Sequence, residues 1–247
     1  MNIRKRITHH FINWLLVDKP FKGEIRSCFD RLQNEVHPGD VILIEGRSRI
    51  SEIIKSVTRS PWSHAVLYLG RLHDIQDHLM RQKAMKYLGN ANEDTPLIVE
   101  GLLGRGFIIS PLHAYKHNHL RICRPTGITY TQVQHVINHA ISSLGKAYNT
   151  KHFLSFLRFL LPYRLLPRRF SGILFKKKTD AITEEICSSG IARAFQSIQI
   201  SIQATLARYN CHEASDNPSL FLPCDFDYSP CFEIVKYPML QKNGDKN

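Results

Sequence analysis

Three residues of the sequence have the types and the local settings of a nucleophile, a general base and an orienting acid. Cys187 lies near the start of a segment with helical periodicity, where the positive end of the helix dipole favours the thiolate. His64 begins a predicted strand, so its imidazole can reach a neighbouring helix end and take the proton of a thiol. Glu100 ends another short predicted strand, and its carboxylate can fix the tautomer of the imidazole. These residue types predict nucleophilic attack on a carbonyl carbon.

Each of the three residues also has a purely structural explanation. Cys187 shares an apolar stripe with Ile191 and Phe195, and a free cysteine in such a stripe commonly packs as a small hydrophobic side chain. His64 can be a histidine at the rim of a sheet with satisfied polar atoms, and Glu100 can be a loop carboxylate. Spacing along the chain does not bring the three together, so both interpretations stay open at this point.

Short apolar segments at regular intervals predict the elements that position these residues. Strands are predicted over 41–44, 64–70, 97–101, 106–110, 120–124 and 231–235. Helical periodicity is found before residue 34, over 49–57, over 133–144 and from 187 to 198. Because Gly, Pro and Asn turns join the strands at short intervals, the sequence predicts an α+β fold with a curved antiparallel sheet.

The chain has no internal repeat and no low-complexity linker, which predicts a single domain over 25–240. A basic amphipathic segment over 1–24 precedes this domain, and it either packs on the domain as a helix or lies in a membrane interface. A basic and aromatic excursion at about 151–180 has the same two interpretations, a surface segment or a docking site for anionic lipid.

Composition and charge exclude several classes of protein. The 247 residues carry a net charge of +12, with 43% hydrophobic and 22% charged residues, which is typical of a globular chain and not of a disordered one. No apolar run approaches the ~18 residues of a membrane-spanning helix, and the N-terminus lacks a signal-peptide cleavage site. We therefore expect a cytoplasmic protein with reduced thiols, with peripheral membrane association as the open alternative. No nucleic-acid-binding motif is present, so the charge favours an anionic membrane surface or an acidic cell-wall polymer over nucleic acid.

The histidines and cysteines do not form a metal-binding pattern. No C-x-x-C pair occurs among the six cysteines, which argues against structural zinc. His113, His117 and His119 are clustered, and His135 and His139 have the spacing of helical ligands, but no glutamate follows His135 and no third ligand is evident. We expect no metal and no cofactor.

Five segments occur in an order that is fairly specific as a set. They read PGDVILIEG over 38–46, TRSPWSHAVLYLG over 58–70, VEG over 99–101, GKAY over 145–148 and ICSSGIARAF over 186–195. The set resembles the permuted papain-like amidases of the YaeF/YiiX type, relatives of the NlpC cell-wall peptidases and of lecithin:retinol acyltransferase. The resemblance extends over about 38–238, most of the chain.

This resemblance implies an antiparallel, barrel-like papain-type sheet packed with helices, in which the histidine precedes the cysteine because of the permutation. It implies Cys187 as nucleophile, His64 as base and Glu100 as orienting acid. Tyr148 matches a tyrosine that lines the site, where its hydroxyl either binds the developing oxyanion or the ring simply packs. The family's pattern differs at Gly190, where a bulky aliphatic residue is usual, and also at Asn149 and Arg193.

The expected function is that of a cysteine-dependent amidase, peptidase or acyltransferase that acts on an amide or ester carbonyl through an acyl-enzyme. The expected substrate is a peptide, an N-acyl compound or a lipid. The alternative is a non-catalytic lipid- or peptide-binding module on the same fold, associated with a membrane surface. Gly190 and the basic amphipathic segments motivate this alternative.

Overall fold

A sheet of six antiparallel strands occupies the centre of the described structure, in the order β4-β3-β2-β1-β5-β6. This computed structural model describes residues 14–20, 28–89, 92–102, 105–145, 187–200, 202 and 221–236, and the side chain of Cys187 lies outside that description. The strands are β1 (Val41–Glu45), β2 (His64–Gly70), β3 (Leu97–Leu102), β4 (Gly106–Pro111), β5 (His119–Pro125) and β6 (Phe232–Val235).

Helices cover both faces of this sheet. They are α1 (Phe29–Glu35), α2 (Arg49–Thr58), α3 (His78–Tyr87), α4 (Tyr130–Ser142), α5 (Cys187–Gln196) and α6 (Pro223–Tyr228). Short 3-10 turns occur at Leu72–Asp74 and Leu112–Tyr115. No helix among the described residues has both the length and the apolar character needed to cross a bilayer.

Alternation along the strands divides the core between the two faces. Ala65 and Leu67 of β2 pack in the cluster that contains Ile191 and Phe195 of α5, together with apolar residues of α4. Val66 lies on the opposite face, where the cluster is completed by α1 and by Leu112. Because successive side chains of a strand point to opposite faces, odd-numbered residues of β1, β2 and β3 face α5 and even-numbered residues face α1.

The predicted α+β fold is confirmed, and each of the six predicted strands is present. The described sheet is open, with β4 and β6 at its edges. Sheet residues of β1 are buried on both faces, which explains why Val41–Ile44 reads as a continuous apolar run without alternation. The predicted C-terminal helix begins at Cys187, as its periodicity indicated.

The N-terminal segment contacts the domain through a buried leucine. Leu15 is 2% exposed and packs against Ile50 and Ile54 of α2. Residues 1–13, the excursion at about 151–180 and Tyr148 lie outside the described residues, so the structure does not test the predictions made for them. The boundaries of the single predicted domain likewise stay a prediction.

Candidate active site

His64 and Glu100 form a hydrogen-bonded pair at one end of the sheet. Nε2 of His64 lies 2.8 Å from Oε2 of Glu100. The side chain of Glu100 is only 2% exposed, and that of His64 is 15% exposed. Two of the three residues predicted to perform catalysis are thus in direct contact, although 36 positions separate them in the sequence.

The register of β2 and β3 accounts for this contact. The strands run antiparallel and pair Leu67 with Val99, so the start of β2 meets the end of β3. His64 and Glu100 have even numbers and share the face that carries Val66 and the α1 side of the core. A one-residue slip between the strands would move one of the two side chains to the other face.

Glu100 is buried in a setting that nevertheless favours its negative charge. Burial raises the pKa of its carboxyl, but hydrogen bonds from His64, Ser110 and Tyr115, with the charge of the imidazole, outweigh burial and leave the pKa below the ordinary value of 4.5. The phenol oxygen of Tyr115 lies 2.5 Å from Oε2 of Glu100, and the Tyr115 ring centroid is 6.0 Å from that of His64. A buried carboxylate with three donors is well suited to orient an imidazole and to stabilise its protonated form.

Tyr115 is a site residue that sequence reasoning missed. It lies in the 3-10 turn Leu112–Tyr115 after β4, where no periodic pattern marks a functional side chain. The turn is fixed to the sheet because Leu112 is buried and its backbone N–H donates to the carbonyl of Pro96. Only the fold, which brings this turn over the even-numbered face of β2 and β3, identifies Tyr115 as a partner of Glu100.

The helix that begins at Cys187 packs on the other face of the same two strands. Its main partners in the sheet are β2 and β3. Gly190, in its first turn, lies so close to the ring of Phe107 that a Cβ atom there would overlap the ring. Phe107 pairs with Gly101, the residue directly after Glu100, so the first turn of α5 lies at the end of the sheet that carries the His64–Glu100 pair.

The structure does not test the predicted contact between the Cys187 thiol and the His64 imidazole, because the Cys187 side chain is not described. Cys187 is described only as the first residue of its helix, and Tyr148 is not among the described residues. His64 is the first residue of β2 and thus lies at the end of that strand. The roles of Cys187 and Tyr148 therefore stay predictions.

A cavity of about 290 Å³ lies beside His64 and Tyr115. Aliphatic side chains of α2, the N-terminal segment and two strand ends contribute to its wall: Leu16, Ile44, Ile50, Ile54 and Leu102. Polar and charged side chains also line it: Ser48, Ser51, Ser63, Asn118, Asp18 and Arg47. The volume is near the lower end of the range of small-molecule pockets, about 300 Å³ and upwards. The imidazole therefore has a neighbouring space that can hold part of a substrate.

A second histidine–glutamate pair lies at the same end of the sheet. Nδ1 of His119 is 3.2 Å from Oε2 of Glu45, and these residues pair directly between β5 and β1. Lys55 also contacts Glu45, at 3.4 Å. His119 was grouped with His113 and His117 as a metal candidate, and here its contact is with a carboxylate. Among the described residues, no three His, Cys, Asp or Glu side chains are grouped so as to hold a metal ion.

Residues 35–155 match the model of a family described as permuted papain-like amidase enzyme, YaeF/YiiX, C92 family. The matched segment includes His64, Glu100 and Tyr148 and ends before Cys187. The resemblance inferred from the ordered motifs is confirmed. The family match supports the broad class of cysteine hydrolases.

The other comparisons add little to the family match. No curated protein matches the chain. Among solved structures, the chain is similar to YiiX from Escherichia coli O157:H7, which is described as a metalloprotein. The identity is 16% and the TM-score 0.46, over 81% of this chain and 96% of that one.

Proposed function

We propose that this protein is a thiol amidase in which Cys187 attacks an amide carbonyl, His64 transfers the protons and Glu100 orients His64. The observation that carries the proposal is the 2.8 Å contact between His64 and a buried Glu100 at the wall of a cavity. The amidase family whose model matches residues 35–155 supports the same reaction class.

The proposed reaction uses the two nitrogens of His64 for different tasks. Nε2 faces Glu100, so Nδ1 is the nitrogen that takes the proton of the Cys187 thiol. The thiolate sulfur bonds to the carbonyl carbon, and the C–N bond of the tetrahedral intermediate breaks as Nδ1 returns the proton to the leaving amine. Water then gives a proton to Nδ1 as its oxygen bonds to the thioester carbon. The C–S bond breaks as Nδ1 returns that proton to the Cys187 sulfur, which releases the acid and restores the thiol. Transfer of the acyl group to another acceptor would replace this last step in an acyltransferase.

The start of α5 favours charge separation at the nucleophile. The first turn of this helix contains no acidic residue, so within that turn the helix dipole favours the Cys187 thiolate. Glu184 and Glu185 precede the helix in the sequence, and exposed carboxylates there would be largely screened. The backbone N–H groups of a first turn have no partner within the helix and can donate to an oxyanion. Tyr148 is proposed as a further donor to that oxyanion.

Tyr115 is proposed as a positioning residue for His64. Its phenol donates to Oε2 of Glu100, the same oxygen that faces Nε2 of His64. It therefore limits rotation of the carboxylate and favours its charged form. Tyr115 also lines the cavity together with His64.

The cavity supports a substrate with an apolar group next to the scissile carbonyl. Ile50, Ile54 and Leu102 form an aliphatic wall, while Ser63 and Asn118 supply hydrogen-bonding groups. An aliphatic side chain of a peptide or the first part of an acyl chain has the matching chemistry.

The unusual Gly190 has a packing explanation, which weakens the case for a non-catalytic binding module. A side chain at position 190 would overlap the ring of Phe107, which is 2% exposed in the core. Glycine is therefore required where α5 approaches β4, whatever the protein's activity. Of the reasons for a binding module, only the basic amphipathic segments are left.

The direct test is labelling by a thiol-directed probe at slightly acidic pH, followed by turnover of a panel of peptide, N-acyl and ester substrates. Cys187→Ala is expected to abolish labelling and to lower kcat by on the order of 10⁴-fold or more. Cys28→Ala is the matched control, since Cys28 is a partly buried thiol outside the site. Equal labelling of the wild type and Cys187→Ala would contradict the nucleophile assignment.

A further inference from the structure

The described part of the N-terminal segment exposes large apolar side chains next to the cavity. Trp14 is 52% exposed, Val17 54% and Leu16 38%. Leu15, between Trp14 and Leu16, is buried against Ile50 and Ile54 of α2. This contact holds the segment to the domain and leaves Trp14, Leu16 and Val17 exposed. We call Trp14, Leu16, Val17, Lys19 and Arg49 the Trp14 surface.

Cationic groups accompany these apolar side chains. The guanidinium of Arg49 lies 4.6 Å from the centre of the Trp14 ring and donates to the Trp14 carbonyl at 3.1 Å. The exposed Lys19 is joined to Arg47 by a backbone hydrogen bond of 3.1 Å. Of the nearby carboxylates, Glu52 is paired with Lys55 at 2.8 Å, which leaves Asp18 as the acidic residue within the segment.

The sequence continues this charge pattern towards the N-terminus. Residues 1–13 contain Arg4, Lys5 and Arg6 and no aspartate or glutamate. Ile3, Ile7 and Phe11 supply apolar groups in the same stretch. The Trp14 surface is therefore the described end of a longer basic and apolar segment.

We propose that the Trp14 surface docks on a lipid bilayer containing anionic headgroups. Tryptophan with aliphatic neighbours favours the boundary between headgroups and acyl chains, and each nearby Lys or Arg adds attraction to anionic lipid. Two signals of this kind, apolar insertion and basic charge, give stable but reversible attachment. Leu16 also lines the cavity at His64, so docking places the cavity next to the lipid surface. This inference goes beyond the proposed chemistry and does not depend on it.

The fluorescence of tryptophan provides a local test on the full-length protein. The chain has two tryptophans, and Trp62 is fully buried, so Trp14 reports on the surface. Vesicles of phosphatidylcholine with phosphatidylglycerol are expected to co-sediment the protein and to shift Trp14 emission to shorter wavelength. Brominated lipids are expected to quench it. Vesicles of phosphatidylcholine alone should bind more weakly, by about fivefold for each Lys or Arg that no longer meets an anionic headgroup.

Variants separate docking from folding and from catalysis. Val17→Asp and Trp14→Ala are expected to weaken vesicle binding at least about fivefold. Leu79→Asp is the matched control, because Leu79 is 69% exposed on α3, and it should bind like the wild type. Turnover of a soluble substrate should be unchanged in all three. Equal binding by Val17→Asp and Leu79→Asp would overturn the proposal, as would binding that ignores phosphatidylglycerol. Self-association abolished by Val17→Asp, without vesicle binding, would overturn it in favour of a protein interface.

Discussion

Two histidine–glutamate pairs lie at the same end of one sheet. They differ in the partners of the carboxylate and in the neighbours of the imidazole. His64 and Glu100 are 2.8 Å apart across β2 and β3, and His119 and Glu45 are 3.2 Å apart across β1 and β5. The two pairs are neighbours, since Ile44 pairs with His64 and Glu45 pairs with His119. A contact between imidazole and carboxylate therefore does not by itself identify a catalytic site.

The partners of each carboxylate distinguish the two pairs. Glu100 is 2% exposed and receives neutral donors and the imidazole, while Glu45 is 35% exposed and is shared with the ammonium group of Lys55. A carboxylate already compensated by a lysine at a partly exposed site has less influence on an imidazole. Glu100 has His64 as its cationic partner, so its charge acts mainly on that ring.

The two rings have different neighbours, although their side chains are almost equally exposed, at 15% for His64 and 16% for His119. His64 lines the cavity, whereas the Trp62 ring covers His119 at a centroid distance of 5.1 Å. The guanidinium of Arg121 lies 4.8 Å from the centre of the Trp62 ring and donates a hydrogen bond to the carboxylate of Asp227. Nε2 of His119 is buried and makes no hydrogen bond to the described residues. The imidazole of His64 thus lines the cavity, and that of His119 packs against an aromatic ring.

His119 is an alternative candidate for the general base because of the face of the sheet on which it lies. His119, with its odd number, faces the side of the sheet on which α5 packs, while His64 faces the other side. However, α5 packs mainly on β2 and β3, and β5 is two strands from β2, about 10 Å away. His64 is also the first residue of its strand, where the ring is accessible from the strand end.

The largest expected effect comes from replacing the two histidines. His64→Ala is expected to lower kcat/KM by on the order of 10⁵-fold, because the thiol loses its base and the leaving group its acid. His119→Ala should change kcat/KM by less than about threefold while lowering Tm, because a ring that packs against Trp62 is lost. Steady-state kinetics and thermal melts of both variants check this. A large loss of activity only in His119→Ala would show that the base belongs to the other pair.

A somewhat smaller effect is expected at the carboxylates. Glu100→Gln keeps the shape but loses the charge that orients and stabilises the imidazolium, and kcat is expected to fall about 10³- to 10⁴-fold. Glu45→Gln serves as the matched control and should retain wild-type kcat. Similar kcat values for the two variants would remove the functional distinction between the pairs.

Tyr115→Phe is expected to lower kcat about 10-fold, since it removes one hydrogen bond to a charged group and keeps the ring. The same change should raise the pKa of Glu100, which loses a donor to its charged form. The acid limb of the kcat profile should therefore move to higher pH. A loss of kcat with an unchanged pH profile would indicate a packing role for Tyr115 rather than a positioning role.

The smallest expected effect is on stability in acid. Because the pKa of Glu100 in the folded state lies below its ordinary value of 4.5, the folded state binds fewer protons there than the unfolded state. The charged Glu100 thus stabilises the folded state fully above pH 4.5. This stabilisation is lost as the pH falls through the pKa that Glu100 has in the folded state. The fall in Tm below pH 4.5 should be less steep for Glu100→Gln than for the wild type. Parallel curves for both proteins would show that Glu100 is not stabilised by its partners.

Much of the fold could be predicted because the elements have clear periodicity. The strand over 64–70 and the apolar stripe of α4, with Val136, Ile137, Ala140 and Ile141 buried, are as the pattern indicated. The residue types at the strand ends also predicted that His64 and Glu100 act together, and they are in contact. The partner Tyr115 and the second pair were not predicted, because both depend on register and on a turn across the sheet rather than on local pattern.

Gly190, which departs from the family's pattern, also shows that the local sequence does not reveal a tertiary contact. In the sequence, a glycine within a helix costs about 1 kcal/mol relative to alanine, and Gly190 is one motive for the alternative of a non-catalytic module. In the structure, it is the residue that allows α5 to lie against Phe107. Such a close approach between distant segments leaves no local signal, so only tertiary structure explains it.

The most direct test of the central claim is the pH dependence of the alkylation rate of Cys187, measured by mass spectrometry of the peptide that contains it. If His64 holds the thiol in its reactive form, the wild type should react with an apparent pKa well below the ~8.5 of a free cysteine. His64→Ala should return that value towards ~8.5, and His119→Ala should leave it unchanged. Identical profiles for the wild type and His64→Ala would contradict the account.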